Sequence, residues 1–286
     1  MAEYNSIVHA GNDSDYDLVN VGLGLIGLFV SIAFSFYGYQ SNNLGLVVTG
    51  TLFFMLMIAG IVLSKGTVLQ GGADAYQGSL AYWIAQLPIY LVAGAFGMQF
   101  SVLSKPSNAY LSTTLNQVAP PIQRIVNEVL APIAENFVIL AQIVVVYKLV
   151  RNEGGSKTQS FAISVALGAV TFGGLHGARS WQFFVMAFII MAAMAGALVA
   201  EDIGLRRFDY VLVTVGATVG FHRAWNQVAA GGVVSFYQTV LQAQPPVIYV
   251  VYPILLFDLL TVSIVVIGTL MHLSRGENPV KAALGI

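Results

Sequence analysis

Cysteine is absent from the 286-residue chain. That excludes disulfides, thiolate metal sites and a cysteine nucleophile. Charge is scarce as well: Asp, Glu, Lys and Arg make up 9% of the residues, where soluble domains carry about 25%. So few charges cannot clothe a water-soluble globule of this size. The net charge of -1 offers no basic excess for nucleic acid or for a polybasic lipid clamp. The opening stretch MAEYNSIVHAGNDSDYD lacks the basic start and short apolar core of a secretory signal. Strict apolar–polar alternation is missing too, and the apolar runs are far too long for strands of a membrane barrel.

What the chain has is apolar length. It is 57% hydrophobic, with a mean hydropathy of +0.78. A helix of about 20 apolar residues crosses a ~30 Å hydrocarbon core. Eight stretches qualify, near Leu18–Tyr39, Leu44–Leu63, Leu80–Leu103, Ile122–Val150, Phe161–Gly177, Trp181–Ala200, Phe208–Ala230 and Val247–Leu273. The expected fold is an all-α polytopic membrane protein, a bundle of about eight transmembrane helices in contact with the lipid bilayer. It divides into a polar acidic N-terminal segment (1–17), one transmembrane domain (18–273) and a short C-terminal tail (274–286).

The connections are mostly short. Residues 64–79 are Gly-rich and read as a loop, and residues 104–121 as a connection with an interfacial helix. Pro120 and Pro121 suit the first turn of the fourth span. Gly pairs at 71–72, 154–155, 173–174 and 231–232 read as turns and close helix contacts. No internal repeat supports a transporter built from inverted repeats.

With eight spans both termini share a side. That side collects Lys65, Lys148, Arg151, Lys157, Arg206, Arg207, Arg275 and Lys281, against Lys105, Arg124, Arg179 and Arg223 opposite. The Lys/Arg bias predicts both termini in the cytoplasm.

Ionisable side chains within spans are costly and mark function by default. Glu135 lies in the fourth span, His176 near the end of the fifth and His222 in the seventh. At ~1.5 Å per residue, each sits roughly 21–23 Å from the same face, so the three are expected to meet. His222 and Asn226 are four apart and share a helix face, which Thr218 and Thr214 extend. On the fourth span Glu128, Glu135 and Gln142 recur every seven residues, and Arg124 is spaced to pair with Glu128. Pro132 cannot bond back to Glu128, which loosens the helix beside Glu135. His9 and His272 fall at the ends of the chain or of a span and read as interfacial.

A glutamate beside a histidine, shielded from bulk water, can serve as general base on a trapped water. A second histidine and an asparagine amide can stabilise an oxyanion. These parts suit peptide hydrolysis without a covalent intermediate. Glu135, His176 and His222 also suit Zn²⁺ with an open position, but HExxH is absent. A serine nucleophile is less favoured: no GxSxG stands nearby, although Ser164 and Ser180 are close in sequence.

The motifs APIAEN (131–136), FGGLH (172–176) and HRAWN (222–226) resemble those of the CPBP family of intramembrane proteins. That family includes type II CAAX prenyl endopeptidases and bacteriocin-processing or immunity relatives. Order, spacing and span assignment agree over about residues 120–230. The resemblance implies that Glu135 and His176 activate water, with Phe172 part of the second motif. It implies that His222 and Asn226 form the oxyanion hole, without metal or other cofactor. Asn136 stands where the family has a second glutamate, and Leu140 where it has an arginine; Arg179 or Arg223 is the candidate replacement cation. The expected activity is cleavage of a membrane-associated peptide or protein, with no feature pointing to CAAX specificity. The alternatives are a catalytically silent membrane protein of the same fold and a transporter using the polar cluster as an ion site.

Overall fold

The structure is a computed structural model. It describes residues 72–96, 120–175, 181–204, 210–244 and 248–284, with four isolated positions nearer the N-terminus. Among the described residues every element is helical. In chain order they are α1 (Gly72–Ile84), α2 (Leu87–Phe96), α3 (Pro120–Ile125), a π turn (Val126–Leu130), α4 (Ala131–Asn152), α5 (Lys157–Leu175), α6 (Trp181–Asp202), α7 (Tyr210–Ala229), α8 (Val233–Leu241), α9 (Ile248–Ser274) and α10 (Pro279–Leu284). Among the described residues three segments are long and apolar enough to cross a membrane: Tyr76–Ala95, Pro120–Asn152 and Ile254–Ser274. The first two expected spans fall outside the described residues, isolated positions aside.

Local chemistry sets the helix ends. Pro120 opens α3, where its missing N–H removes no helical bond. Past α4, Gly154 takes φ 84° and the Gly155 N–H returns to Val150 O at 2.8 Å; a left-handed residue closes the helix. Ser156 opens α5 with a capping box: Ser156 Oγ accepts from Gln159 N at 3.2 Å, and Gln159 Oε1 accepts from Ser156 N at 2.8 Å. Gly231 and Gly232, both at positive φ, turn the chain between α7 and α8.

Three local expectations are corrected. The loop assigned to 64–79 is helical from Gly72 onward; α1 is held there by packing on α7 and α9, which overrides its glycines. The third span is interrupted at Ala85–Gln86, because Pro88 has no N–H to continue the ladder and its ring crowds the carbonyl of Ile84. The stretch after the seventh span carries α8, whose Phe236 and Val240 are buried.

The outer surface is apolar. Leu256, Leu259, Leu260, Ile267 and Leu270 of α9 are exposed, as are Val145, Leu149 and Val170. The interior holds Glu128, Asn136, His222, Arg223, Asn226, Gln227 and Asp258. An apolar shell around polar groups gathered in the interior is the arrangement a bilayer favours.

Helix α7 is the hub: it packs against α1, α2, α4, α6, α8 and the π turn. Its closest approach is to α1. A Cβ added at Gly216 would overlap Gly78 O, and one at Gly220 would overlap Tyr82 O. The spacing Gly216-x-x-x-Gly220 thus lets two backbones touch, the usual device of membrane helix pairs. Gly220→Val is expected to destabilise the protein by about 1–3 kcal/mol or more through overpacking. Gly196→Ala, where a Cβ meets nothing within 4 Å, should not. Thermal unfolding in detergent measures both; an unchanged midpoint for Gly220→Val would contradict the α1–α7 contact.

Candidate active site

Pro132 determines the shape of the site. In a regular helix the Asn127 carbonyl would accept from the Ala131 N–H. Here the Ala131 N–H reaches back to Val126 O instead, the bond of a π turn. The residue five positions on from Asn127 is Pro132, which has no N–H to give. The Asn127 carbonyl is therefore left over by its own helix. Asn226 on α7 satisfies it, donating Nδ2–H to Asn127 O at 2.7 Å. A π turn at a functional site is a common pattern, and this one joins α4's entry to α7.

One turn further, Glu135 and Asn136 meet His222. Glu135 Oε2 stands 3.7 Å from His222 Nε2, a close approach that is longer than a hydrogen bond. His222 Nδ1 lies 3.0 Å from Asn136 Oδ1. The Phe172 ring meets the imidazole edge-on, with centroids 6.0 Å apart and planes at 81°. The His222 side chain is 3% exposed and that of Glu135 32%. The carboxylate thus lies at the accessible edge of the cluster and the imidazole inside it.

The other predicted residues divide. His176 and Arg179 lie outside the described residues. Thr218 is buried on α7 and donates to Val215 O at 3.2 Å, a bond within its own helix. Glu128 is paired with Arg124 as the spacing predicts. Arg124 also donates to Ser235 Oγ at 2.9 Å and to Gly232 O at 3.4 Å, tying the π turn to the start of α8. Gln142 joins α4 to α5 through Thr171 Oγ1 at 3.0 Å. His272 pairs with Glu277 at the end of α9, 2.6 Å away. Among the described residues no three side chains converge to hold a metal ion, and the third zinc ligand considered above, His176, is not among them.

Arg223 is not the cation beside Glu135 that the resemblance offered as a candidate. It is fully buried and forms a bidentate pair with Asp258 of α9, at 2.5 and 2.7 Å. Tyr237 donates to Asp258 Oδ2 at 2.7 Å, and the Tyr82 hydroxyl accepts from Arg223. The guanidinium also lies over Phe236, 5.4 Å from the ring centroid. Asp258 is the residue that sequence reasoning missed. The signal was present: FDLL places an acid inside a long apolar run, the same anomaly that singles out Glu135.

Chemically, the cluster offers an accessible carboxylate and an imidazole anchored on its far side. A second amide, Asn226, has one N–H already committed to the backbone. Two shallow surface grooves, one lined by Leu149, Val150 and Ile163 and the other by Phe161, Gly196 and Val199, lie toward the opposite end of α4 and α5. No family model, curated protein or solved structure matches this chain.

Removing one partner of a buried bidentate pair strands a charge. Asp258→Ala is expected to cost about 3–5 kcal/mol. Arg223→Met combined with Asp258→Leu should cost much less, because neither charge is left unpaired. Unfolding in detergent reads both. A double variant as unstable as Arg223→Met and Asp258→Leu, each measured alone, added together would show that the pair is not coupled.

Proposed function

We propose that the protein is an intramembrane endopeptidase of the glutamate type, built on an eight-span CPBP-like bundle and acting on a membrane-associated peptide or protein tail. The observation that carries this reading is the approach of Glu135 to His222. These residues come from separate motifs on separate helices, and the depth arithmetic and the family resemblance both assign them to one site. The partial exposure of Glu135 adds support, since a general base must be reached by substrate and water.

In this mechanism Glu135, with His176 beside it, removes a proton from water as the water oxygen attacks the scissile carbonyl. The carbonyl electrons move onto oxygen, and His222 with Asn226 stabilises that charge. Collapse of the intermediate breaks the C–N bond, and the proton taken from water passes to the leaving amine. Asn136 and Leu140 take the places of the family's charged Glu and Arg together, so neither charge is orphaned. Both termini are assigned to the cytoplasm. Arg124 and Arg223 lie within helices, which removes two cations from the opposing loops and supports that orientation.

A second reading is a catalytically silent protein of the same fold. It is favoured by the Asn226 amide, which donates to the Asn127 carbonyl and so braces helices as much as it serves an oxyanion. Incubating the purified protein in lipid with a library of membrane-anchored peptides separates the two. The endopeptidase reading expects cleavage that falls by roughly 10²–10⁴-fold in Glu135→Gln while the fold is retained. Cleavage of equal rate in both proteins would overturn the role of Glu135, and cleavage in neither would favour the silent reading.

A further inference from the structure

Asn136 occupies the position of a residue that the resemblance would make a glutamate, and it is fully buried. Its Oδ1 lies 3.0 Å from His222 Nδ1, bridging helices α4 and α7. An amide oxygen accepts and cannot donate. With Oδ1 against Nδ1, the imidazole must carry a proton on Nδ1. Its other nitrogen, Nε2, then faces Glu135. The amide is anchored by this oxygen: Asn136 Nδ2 has no hydrogen-bond partner among the described residues.

We propose that Asn136 is a positioning residue that fixes the Nδ1 proton of His222, so that the Nε2 lone pair faces Glu135 and can receive a proton from it. For its catalytic meaning this rests on the endopeptidase reading; as a statement about the tautomer it stands alone. A carboxylate at 136 would accept from Nδ1 equally well, but it would add a second buried acid beside Glu135 with no arginine at position 140 to offset it. Asparagine keeps the acceptor and drops the charge. The second imidazole nitrogen of a histidine sets what the first can do, and here it sets the order of events. With Nδ1 protonated, neutral His222 has only a lone pair on Nε2. It can donate to an oxyanion through Nε2 only after receiving a proton there. Glu135 is placed to deliver the proton it takes from water, which then continues to the leaving amine. No proton is gained or lost in the sequence water, Glu135, His222, amine.

The opposite arrangement, Nδ2 of Asn136 donating to a bare Nδ1, would leave the proton on Nε2 from the start. Nitrogen-15 NMR of histidine-labelled protein in lipid nanodiscs distinguishes the two, with the His222 signal assigned by its loss in His222→Gln. The expected result is a proton-bearing Nδ1 in the native protein, its retention in Asn136→Asp, and its loss in Asn136→Leu. A bare Nδ1 in the native protein, or an unchanged Nδ1–H in Asn136→Leu, would overturn the proposal. Should Asn136→Leu fail to fold, the native spectrum and Asn136→Asp decide it. A protein with Nδ1–H that cleaves nothing retains the positioning role and loses the protease reading. Cleavage with a bare Nδ1 does the reverse.

Discussion

Arg223 is buried in a bundle whose surface is apolar, and much of the surrounding structure follows from satisfying its guanidinium. The charge cannot be left alone at that depth. Asp258 meets it in bidentate geometry, Tyr237 completes the carboxylate, and Phe236 and Tyr82 supply ring faces. These partners come from α1, α8 and α9, and Arg223 itself from α7. One charge therefore fixes the relative placement of four helices, with geometric specificity that apolar packing between lipid-facing helices does not provide. The close contact of Gly216 and Gly220 with α1 lies on the same face of α7, since Gly220 and Arg223 are three residues apart and both meet Tyr82. The same helix carries His222 and Asn226 one residue before and three after Arg223, so the candidate site inherits its rigidity from the ion pair.

A second constraint acts from the opposite direction. Pro132 deletes one donor from the apolar segment Pro120–Asn152, which is long enough to cross a membrane. The π turn moves that deficit to the Asn127 carbonyl, and the Asn226 amide fills it from α7. A backbone irregularity at membrane depth thus finds its partner inside the protein, as it must where no water is at hand. Its consequence reaches past stability. The bond pins α7 against the entry of α4, two turns before Glu135 and Asn136 meet His222. Arg124 with Glu128 and Ser235 closes the same corner toward α8. The site is therefore bracketed by two structural devices, the proline-induced bond on one side and the Arg223–Asp258 pair on the other.

Much of this is legible in the sequence because membrane helices obey simple arithmetic. The all-helical class follows from composition and run length. The approach of Glu135 to His222 follows from counting residues inward from a shared face, and the edge contact of Phe172 belongs to the same motif set. The start at Pro120, the turn at Gly154–Gly155 and the turn at Gly231–Gly232 follow from backbone chemistry. Other features are not local. Helix α8 is short, and the burial of its apolar side against α3 appears only once the bundle exists. The role of Asp258 needs the knowledge that α9 lies within reach of Arg223. The interruption at Ala85–Gln86 was written in Pro88 but masked by the strongly apolar stretch around it.

The residues that depart from the family pattern change meaning in this setting. Read along the chain, Asn136 and Leu140 look like the loss of a charged brace. Read across helices, Asn136 makes the contact to His222 that an acid at this position would make, and Leu140 packs against the apolar cluster that also contains Ile139 and Ile143. The bundle already has one buried ion pair, Arg223 with Asp258, holding α7. A second pair beside Glu135 would carry its own desolvation cost of several kcal/mol per ion while bracing a helix that is braced already. An amide in its place preserves the orientation of the imidazole and adds no second acid beside Glu135. Two tasks are therefore carried by different groups: structural support by Arg223–Asp258 and the Asn127–Asn226 bond, and orientation of His222 by Asn136.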